Sequence, residues 1–525
     1  MGIYLNPGNE NFAEVLRSDI YVDKTMMISV TNNIMDSGNK YICMSHPRRF
    51  GKPIAGNMLA SYYSKGCDSR EMFKRLNIAQ TPEFEQKLNK YNVIQLDLNS
   101  EYQNAKNRSE MLTYLQEKIG NEIKEQFALV TFSQKDSLTD MMLKIYSQTG
   151  ETFIIIMDEY DVLVREQVDA ALFDEYLSFL NGIFKSNTLR PAISLAYLTG
   201  ILPIVRDKNQ SKLNNFMEYT ILDPGIFAPY VGFMADEVKE LCGQYDMDFE
   251  ECRRWYDGYR IGGNEIYNPE SVVKSMIGHQ YKGYWGMTSS YEVISDQIQY
   301  NFDGTKDAVV KMLAGEEVPV DVGSFLNTMN SFKTSDDCFT YLCHVGYLSY
   351  DETTEKCRIP NREVRKEWLR AIAVSSDYKT TDSIVKASEE LLAVTIRGEE
   401  EFVARALDSS HIHVTSNRSY NNEDALQSAI YLAYIYALNK YTVIREMTSG
   451  KGFADVVFIP FYSNLPAMVI ELKHNKCAES ALDQIREKKY FDSLAHYKGE
   501  LLLVGISYDE KEKNHECRIE RLEKE

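Results

Sequence analysis

Two apolar runs constrain the fold of this chain more than any other feature. Residues 153–157 read FIIIM and residues 193–198 read ISLAYL. Runs of this kind are typical of strands buried on both faces of a parallel sheet, which needs helices on both sides. Further candidate strands lie at 41–44 and 93–98, and helical patterns run over 109–127 and 169–184. This alternation predicts an α/β fold with a doubly wound parallel sheet and right-handed crossovers.

Polar residues follow both runs. Asp158 and Glu159 come directly after the first, and Thr199 and Gly200 belong to the end of the second. In an ATPase, the first carboxylate would hold Mg²⁺ through water, the second would polarise the attacking water, and the threonine would sense the γ-phosphate. The simpler alternative is a strand end whose carboxylates cap the next helix.

The strand predicted at 41–44 runs into a loop that resembles a phosphate-binding P-loop. Gly51 and Lys52 fit the motif, but His46 stands where the first glycine is expected and Pro53 where Ser or Thr is expected. Proline supplies neither a metal-binding hydroxyl nor a backbone N–H, although the first turn of a helix tolerates it. Lys52 and the helix N-terminus can still attract an anion. The sequence therefore predicts ATP binding and puts ATP hydrolysis in doubt.

Three charged residues near the C-terminus fall on one predicted β-hairpin. Its apolar arms carry Asp455 on one side and Glu471 and Lys473 on the other. If the hairpin is symmetric about Ser463, residue 455 lies opposite residue 471, and all three side chains share one face. Paired carboxylates suit Mg²⁺, and a lysine beside the metal can orient the attacking water. The alternative is a salt-bridge ladder on a surface hairpin.

The elements around this hairpin follow the order helix, three-stranded meander, helix, strand. A helix is predicted over 422–438, a strand over 441–446, a helix over 478–490 and a strand over 501–507. In this order the segment resembles the PD-(D/E)XK nuclease superfamily, a restriction-endonuclease-like α/β fold. Glu446 and Gln484 fall where that superfamily often has auxiliary polar residues.

Short motifs extend the resemblance over nearly the whole chain. They are YVDKT at 21–25, PRRFGK at 47–52, MDEYD at 157–161, LTGI at 198–201, LNN at 213–215, WYDGY at 255–259, YNP at 267–269 and GYL at 346–348. Together they resemble the bacterial AAA-ATPase-like family, whose members commonly carry a C-terminal PD-(D/E)XK domain. YVDKT has no chemistry that can be derived from its residues.

The resemblance implies a set of functional residues. Those expected to bind nucleotide are Arg48, Arg49, Gly51, Lys52, Asp158 and Thr199. Those expected to bind metal are Asp455, Glu471 and Asp158. Those expected to act in catalysis are Asp455, Glu471, Lys473, Glu446 and Glu159.

The region between the two ends reads as mainly helical and contains a winged-helix-like unit. A helix ends near Gly346, a hairpin turns at Thr353 and Thr354, and another helix begins at Arg362. We therefore predict an ATPase-like domain over 1–233, a helical and winged-helix-like region over 234–380, and a nuclease-like domain over 381–525.

The composition and charge of the chain limit the classes of function that it can have. A net charge of −19 counts against a general nucleic-acid coat protein. Nine cysteines without a C-x-x-C pattern indicate reduced thiols. No apolar stretch approaches the roughly 18 residues of a membrane span, and the N-terminus lacks the features of a secretory signal. These observations predict a cytoplasmic protein without a membrane partner.

The favoured hypothesis is a nucleotide-responsive, Mg²⁺-dependent nuclease that hydrolyses phosphodiester bonds, with an ATPase-like module in control. Its partners would be nucleotide and nucleic acid, and the sequence does not decide between DNA and RNA. Whether the protein forms a homo-oligomer is also left open. One alternative is a non-catalytic, nucleotide-sensing interaction protein with two relic sites. The other is an ATP-driven nucleic-acid remodeller whose C-terminal domain only binds.

Overall fold

The computed structural model describes residues 2–522 except 205, 208–209, 212, 288–290, 326–331, 376–377, 415–422, 450–451, 462–463, 491–493, 495–496 and 498. The side chains of some further residues in helices and strands, including Glu446, are outside the described part. The chain forms two compact units, Met1–Thr288 with Val318–Val364, and Ser289–Glu317 with Arg365–Glu525. The three-domain division at 233 and 380 stays a prediction.

The strands are β1 (Tyr41–Ser45), β2 (Asn92–Asp97), β3 (Phe153–Asp158), β4 (Ile193–Gly200), β5 (Arg206–Asp207), β6 (Gln210–Ser211), β7 (Met217–Thr220), β8 (Phe233–Met234), β9 (Tyr259–Ile261), β10 (Asn264–Tyr267), β11 (Val318–Pro319), β12 (Ser349–Asp351), β13 (Lys356–Arg358), β14 (Tyr441–Ser449), β15 (Gly452–Pro460), β16 (Ala467–His474), β17 (Leu501–Asp509) and β18 (Asn514–Leu522).

The α-helices are α1 (Glu10–Leu16), α2 (Met26–Ile34), α3 (Lys52–Tyr63), α4 (Arg70–Phe73), α5 (Phe84–Lys87), α6 (Leu98–Asn104), α7 (Met111–Gln126), α8 (Leu138–Thr149), α9 (Val162–Arg165), α10 (Ala170–Phe184), α11 (Ala235–Gln244), α12 (Phe249–Tyr256), α13 (Pro269–Gly278), α14 (Glu292–Ile298), α15 (Thr305–Leu313), α16 (Ser335–His344), α17 (Arg362–Val374), α18 (Lys379–Arg397), α19 (Glu400–Val414), α20 (Glu423–Ala433) and α21 (Ala478–Lys488).

The first unit is built on a five-stranded sheet in the order β2-β3-β4-β1-β7, in which every neighbouring pair is parallel. The predicted parallel sheet is confirmed. Helix α3 packs on one face, where Gly56 lies against Ile156. Apolar side chains of α7, α8 and α10 pack against the strands to form a single buried cluster. Because β4 lies between β1 and β3, the polar residues that end these strands meet at one edge.

The winged-helix-like unit also forms as the sequence predicts. Helix α16 begins at a capping box between Thr334 and Asp337 and ends two residues before Gly346, which has a φ of +88°. A small antiparallel sheet of β11, β13 and β12 follows, and then α17 begins at Arg362. A side chain at residue 346 would also collide with Pro47 and Trp285, so glycine is required there by conformation and by space.

The second unit contains a five-stranded sheet in the order β14-β15-β16-β17-β18, with one parallel pair, β16 and β17. Apolar residues of α18, α19 and α20 cover one face, and those of α21 cover the other. The strands therefore have two buried faces, as the apolar arms of the hairpin indicate. Strand β18, an edge strand with alternating polar residues, was not predicted.

Among the residues that the structure describes, no helix has the length and apolar character needed to cross a lipid bilayer.

Candidate functional site

The predicted register of the C-terminal hairpin is confirmed. Val456 pairs with Ile470 and Val457 with Val469, so residue 455 faces residue 471. The side chains of Val457 and Val469 belong to the apolar cluster between the sheet and helix α21. Side chains two residues apart on a strand point to the same face, so the odd-numbered residues of β15 and β16 near this pair face α21 as well. Asp455, Glu471 and Lys473 are therefore brought to one face, below helix α21.

Helix α21 approaches this face closely because Gly505, the β17 partner of Glu471, has no side chain. A Cβ atom on Gly505 would lie 2.4 Å from the backbone oxygen of Ala478 and 3.1 Å from the Cβ of Ala481. The close approach brings Gln484 of α21 within hydrogen-bond distance of the Glu471 carboxylate. Gln484 thus takes part in the site that its position in the sequence suggested.

A network of polar contacts surrounds Glu471. Lys473 Nζ donates to Glu471 Oε1 over 3.1 Å, and Gln484 Nε2 donates to the same oxygen and lies 3.1 Å from the hydroxyl of Tyr490. Asp455 Oδ2 accepts the backbone N–H of Leu472 over 2.7 Å. The side chains of Glu471 and Lys473 are 2% and 9% exposed, so this is not a surface salt-bridge ladder.

The electrostatics of Glu471 favour a cation beside it. Burial, followed by the negative charge of Asp455, raises the pKa of Glu471 to about 7, against the opposing effect of Lys473. Glu471 Oε2 is buried and, among the described residues, has no hydrogen-bond partner. A divalent cation between Asp455 and Glu471 would satisfy this oxygen and relieve the repulsion. The described residues contain no cluster of three metal-binding side chains, so these two carboxylates would need further ligands.

Glu446 lies on the neighbouring strand. Arg445 pairs with Val456 and Met447 with Ala454, so the backbone of residue 446 faces that of residue 455. Its side chain is outside the described part of the chain, and its assignment stays a prediction. Tyr490, which the sequence did not single out, also reaches the network through Gln484.

The P-loop-like segment of the first unit joins β1 to α3. Gly51 has a φ of +86°, and Lys52 is the first residue of α3, with Pro53 behind it. Lys52 is buried, and its Nζ donates to the backbone oxygens of His46 and Pro47 over 2.9 and 3.0 Å. The backbone of the loop therefore surrounds the ammonium group of Lys52. Burial lowers the pKa of Lys52, although the charges of nearby carboxylates oppose the change.

The strand-end residues meet beside this lysine. Thr199 Oγ1 donates to Asp158 Oδ1, which also accepts the backbone N–H of Glu159 over 2.9 Å. Burial raises the pKa of Asp158 and of Glu159, while the charge of Lys52 opposes the rise. The structure thus brings together Lys52, Asp158, Glu159 and Thr199, as expected for the carboxyl edge of a parallel sheet.

The two arginines of the loop are placed differently. Arg48 is exposed. Arg49 instead turns toward α13, where its Nε lies 3.2 Å from Glu270 Oε2, and its guanidinium faces Trp285. His46 is buried, and burial together with the charge of Lys52 lowers its pKa to about 3. The imidazole is therefore neutral.

A cavity of about 500 Å³ adjoins the loop within the first unit. Its walls are mostly apolar and include Ile20, Tyr21, Val22, Phe50, Pro53 and Phe233. Seven of its 20 lining residues lie between Val15 and Met27, the stretch that contains the YVDKT segment. Within that segment, Asp23 accepts the backbone N–H groups of Thr25 and Asn77, and Lys24 pairs with Glu237 over 2.7 Å. YVDKT therefore has a structural role that its sequence did not reveal: it builds one side of the cavity.

Comparison with known proteins gives two family matches. Residues 7–208 match the family described as Predicted AAA-ATPase, and residues 421–517 match the PD-(D/E)XK nuclease superfamily. For these ranges, the resemblance stated from the sequence is confirmed. Families of these two kinds generally use nucleotide and divalent metal.

Similar individual proteins are more distant. An uncharacterized protein in the vnfD 5′ region of Azotobacter chroococcum mcd 1 is 20% identical over 531 residues, which cover 95% of this chain and 95% of that protein. The crystal structure of Cdc6p from Pyrobaculum aerophilum is 11% identical and covers 70% of this chain and 99% of its own, with a TM-score of 0.24. The Aeropyrum pernix ORC2 protein, in ADPNP–ADP complexes, is 11% identical and covers 68% and 97%, with a TM-score of 0.25.

Proposed function

We propose that this protein is a divalent-cation-dependent nuclease whose activity responds to a nucleotide bound by its AAA-ATPase-like region. The observation that carries the proposal is the convergence of Asp455, Glu471 and Lys473 on one face, with Gln484 oriented onto Glu471. The buried oxygen Glu471 Oε2 provides the second support, because it lacks a partner among the described residues.

The residues of the second unit would divide the work of phosphodiester hydrolysis. Asp455 and Glu471 would hold Mg²⁺, and Glu446 would assist from the next strand. When bound, the cation would polarise the phosphodiester and lower the pKa of an attacking water. Lys473 lies 3.1 Å from Glu471 and would orient that water or balance the charge that develops on the phosphate. Gln484 would hold the Glu471 carboxylate in position, as residues behind metal ligands do.

The residues of the first unit would bind the nucleotide. Lys52 and the N-terminus of α3 would attract its phosphates, and Asp158, Glu159 and Thr199 lie beside them. The apolar cavity next to Pro53 has the size and the lining to take a purine base. Arg48 and Arg49 remain part of the proposed nucleotide site. The proposal also includes a cytoplasmic location, with the oligomeric state left open.

The test is cleavage of mixed DNA and RNA substrates by the purified full-length protein in Mg²⁺, with and without ATP. Lys473→Ala should abolish cleavage. Lys476→Ala, at an exposed lysine three residues further on, should leave it unchanged. A difference in rate between the two nucleotide conditions would support the regulatory part. The proposal fails if the folded wild-type protein cuts neither substrate, or if Lys473→Ala cuts as fast as wild type.

One observation favours a second candidate, a nucleotide-sensing interaction protein that does not hydrolyse ATP. Pro53 occupies the position where a P-loop supplies a hydroxyl to Mg²⁺, and it follows directly after Lys52 in α3. Tight ATP binding without ATP turnover and without cleavage of any nucleic acid would favour this candidate over the nuclease.

A further inference from the structure

An arginine that the sequence did not single out lies inside the proposed nucleotide site. Arg165 ends the short helix α9, and its guanidinium bridges two carboxylates of the acidic segment after β3. Its Nε lies 3.0 Å from Asp161 Oδ2, and its Nη2 is paired with Glu159. The arginine side chain is 14% exposed, so it is largely but not completely buried.

The two ends of the bridge differ in how firmly they are held. Asp161 is 1% exposed, and its Oδ2 accepts the backbone N–H groups of Ile201 and Leu202 over 3.1 and 2.8 Å. The carboxylate also lies against Gly200, where a Cβ atom would be only 2.7 Å from Asp161 Oδ1. Glu159 is 20% exposed and lies at the edge of the site. The Asp161 end therefore acts as an anchor, and the Glu159 end can exchange partners.

Arg165 is joined to the strand-end residues of the proposed nucleotide site, because it pairs with Glu159, which directly follows Asp158 in the chain. Burial lowers the pKa of Lys52; the charges of Glu159, Asp158 and Asp161 oppose this change, and the charge of Arg165 adds to it, so these five groups interact electrostatically. An anion that approaches Lys52 is therefore also attracted by Arg165. A guanidinium matches phosphate oxygens in geometry and forms charge-assisted hydrogen bonds with them.

We propose that Arg165 contacts the terminal phosphate of a bound nucleoside triphosphate and is supplied to the site by the same chain. Without nucleotide the arginine neutralises Glu159. When a triphosphate is bound, the guanidinium pivots on its Asp161 anchor to the terminal phosphate, and Glu159 is released to orient water. A diphosphate lacks that phosphate, so Arg165 stays on Glu159. This inference rests on the proposed nucleotide binding and adds a means to distinguish ATP from ADP.

The first test compares the affinity of the full-length protein for ADP and for a non-hydrolysable β,γ-imido analogue of ATP. Arg165→Gln should weaken analogue binding about tenfold, the loss expected for a charge-assisted hydrogen bond, and should change ADP affinity less than twofold. Arg253→Gln is a matched control, because Arg253 also bridges two carboxylates, at 3.3 Å from Asp257 and 3.0 Å from Glu265. It should change neither affinity. Arg165→Lys, which retains the charge, should lose less discrimination than Arg165→Gln.

A coupling experiment separates this role from a structural one. Glu159→Gln removes the charge that competes for Arg165, so it should strengthen analogue binding more in the wild-type background than in the Arg165→Gln background, where only the repulsion between Glu159 and the phosphates is relieved. Equal losses of analogue and ADP affinity in Arg165→Gln, or the same effect of Glu159→Gln in both backgrounds, would overturn the inference. If the wild-type protein binds both nucleotides but these differences are absent, only the role of Arg165 fails. If it binds neither, the proposed nucleotide function fails with it.

Discussion

Replacing Glu471 by glutamine should stabilise the protein in the absence of divalent cations while it abolishes cleavage. Glutamine keeps the shape of the side chain and an oxygen that accepts from Lys473 and Gln484, and it removes only the charge. That charge is unfavourable in this position, because burial and Asp455 together raise the pKa of Glu471 to about 7 from the ordinary 4.5.

The magnitude and sign of this change in stability follow from proton linkage. Each pKa unit corresponds to about 1.4 kcal/mol, so the rise to about 7 corresponds to roughly 3 kcal/mol. The folded state binds more protons at this residue than the unfolded state between about pH 4.5 and pH 7. Stability of the wild-type protein therefore falls as pH rises through that window, and the full cost is present above pH 7. Glu471→Gln should match wild type near pH 5 and exceed it by roughly 3 kcal/mol at pH 8.5.

The assay is thermal unfolding in the presence of a chelator at pH 5, 7 and 8.5. At about 2–4 °C for each kcal/mol in a unit of this size, the variant should melt roughly 6–12 °C higher than wild type at pH 8.5. Glu487→Gln, at an exposed position on α21, is the control and should show no such pH-dependent gain. If Glu471→Gln gains the same stability at pH 5 as at pH 8.5, or loses stability at pH 8.5, the reasoning about the buried charge is wrong.

Three further predictions concern the same two sites. Pro53→Ser restores a backbone N–H and a hydroxyl at the start of α3, so nucleotide binding should become Mg²⁺-dependent and phosphate release from ATP should increase. A nucleotide affinity that remains insensitive to Mg²⁺ would contradict this prediction. Val22→Trp should fill part of the cavity of about 500 Å³ and lower nucleotide affinity about tenfold in a fluorescence titration, whereas Ile3→Trp on the surface should not. Gln484→Ala removes the hydrogen bond that orients Glu471, so the Mg²⁺ concentration needed for half-maximal cleavage should rise roughly tenfold, and an unchanged requirement would argue against that role.

The parts of the fold that could be predicted are those in which local pattern and burial agree. Residues 153–157 are apolar throughout, and β3 is buried along almost its whole length. The hairpin register could be predicted because two apolar arms of fixed length leave few ways to place both sets of side chains inside. The proximity of the two carboxylates then follows from the register, since Asp455 and Glu471 can meet only if residues 456 and 470 pair.

The remaining features depend on contacts between segments that are far apart in sequence. The pairing of Arg165 with Glu159 and Asp161 gives no sequence signal, because a basic residue after an acidic segment is common on exposed helices. The cavity could not be predicted because its walls come from four separate stretches of the chain. Gly505 looked like an ordinary strand glycine, and its role becomes evident only when α21 is seen to lie against it.

The two sites share one arrangement. In each, a carboxylate to which we assign a part in hydrolysis is already paired with a basic residue of the same unit: Glu471 with Lys473, and Glu159 with Arg165. Such pairs avoid the cost of an isolated buried charge before any ligand is present. A ligand would change these arrangements in two ways. A cation would approach Glu471 Oε2, which has no hydrogen-bond partner in the part of the chain that the structure describes, and a phosphate would compete with Glu159 for Arg165. In the functions that we propose, these ligands would be a divalent cation at Glu471 and a terminal phosphate at Arg165, so each site is expected to become competent only when its own ligand is bound.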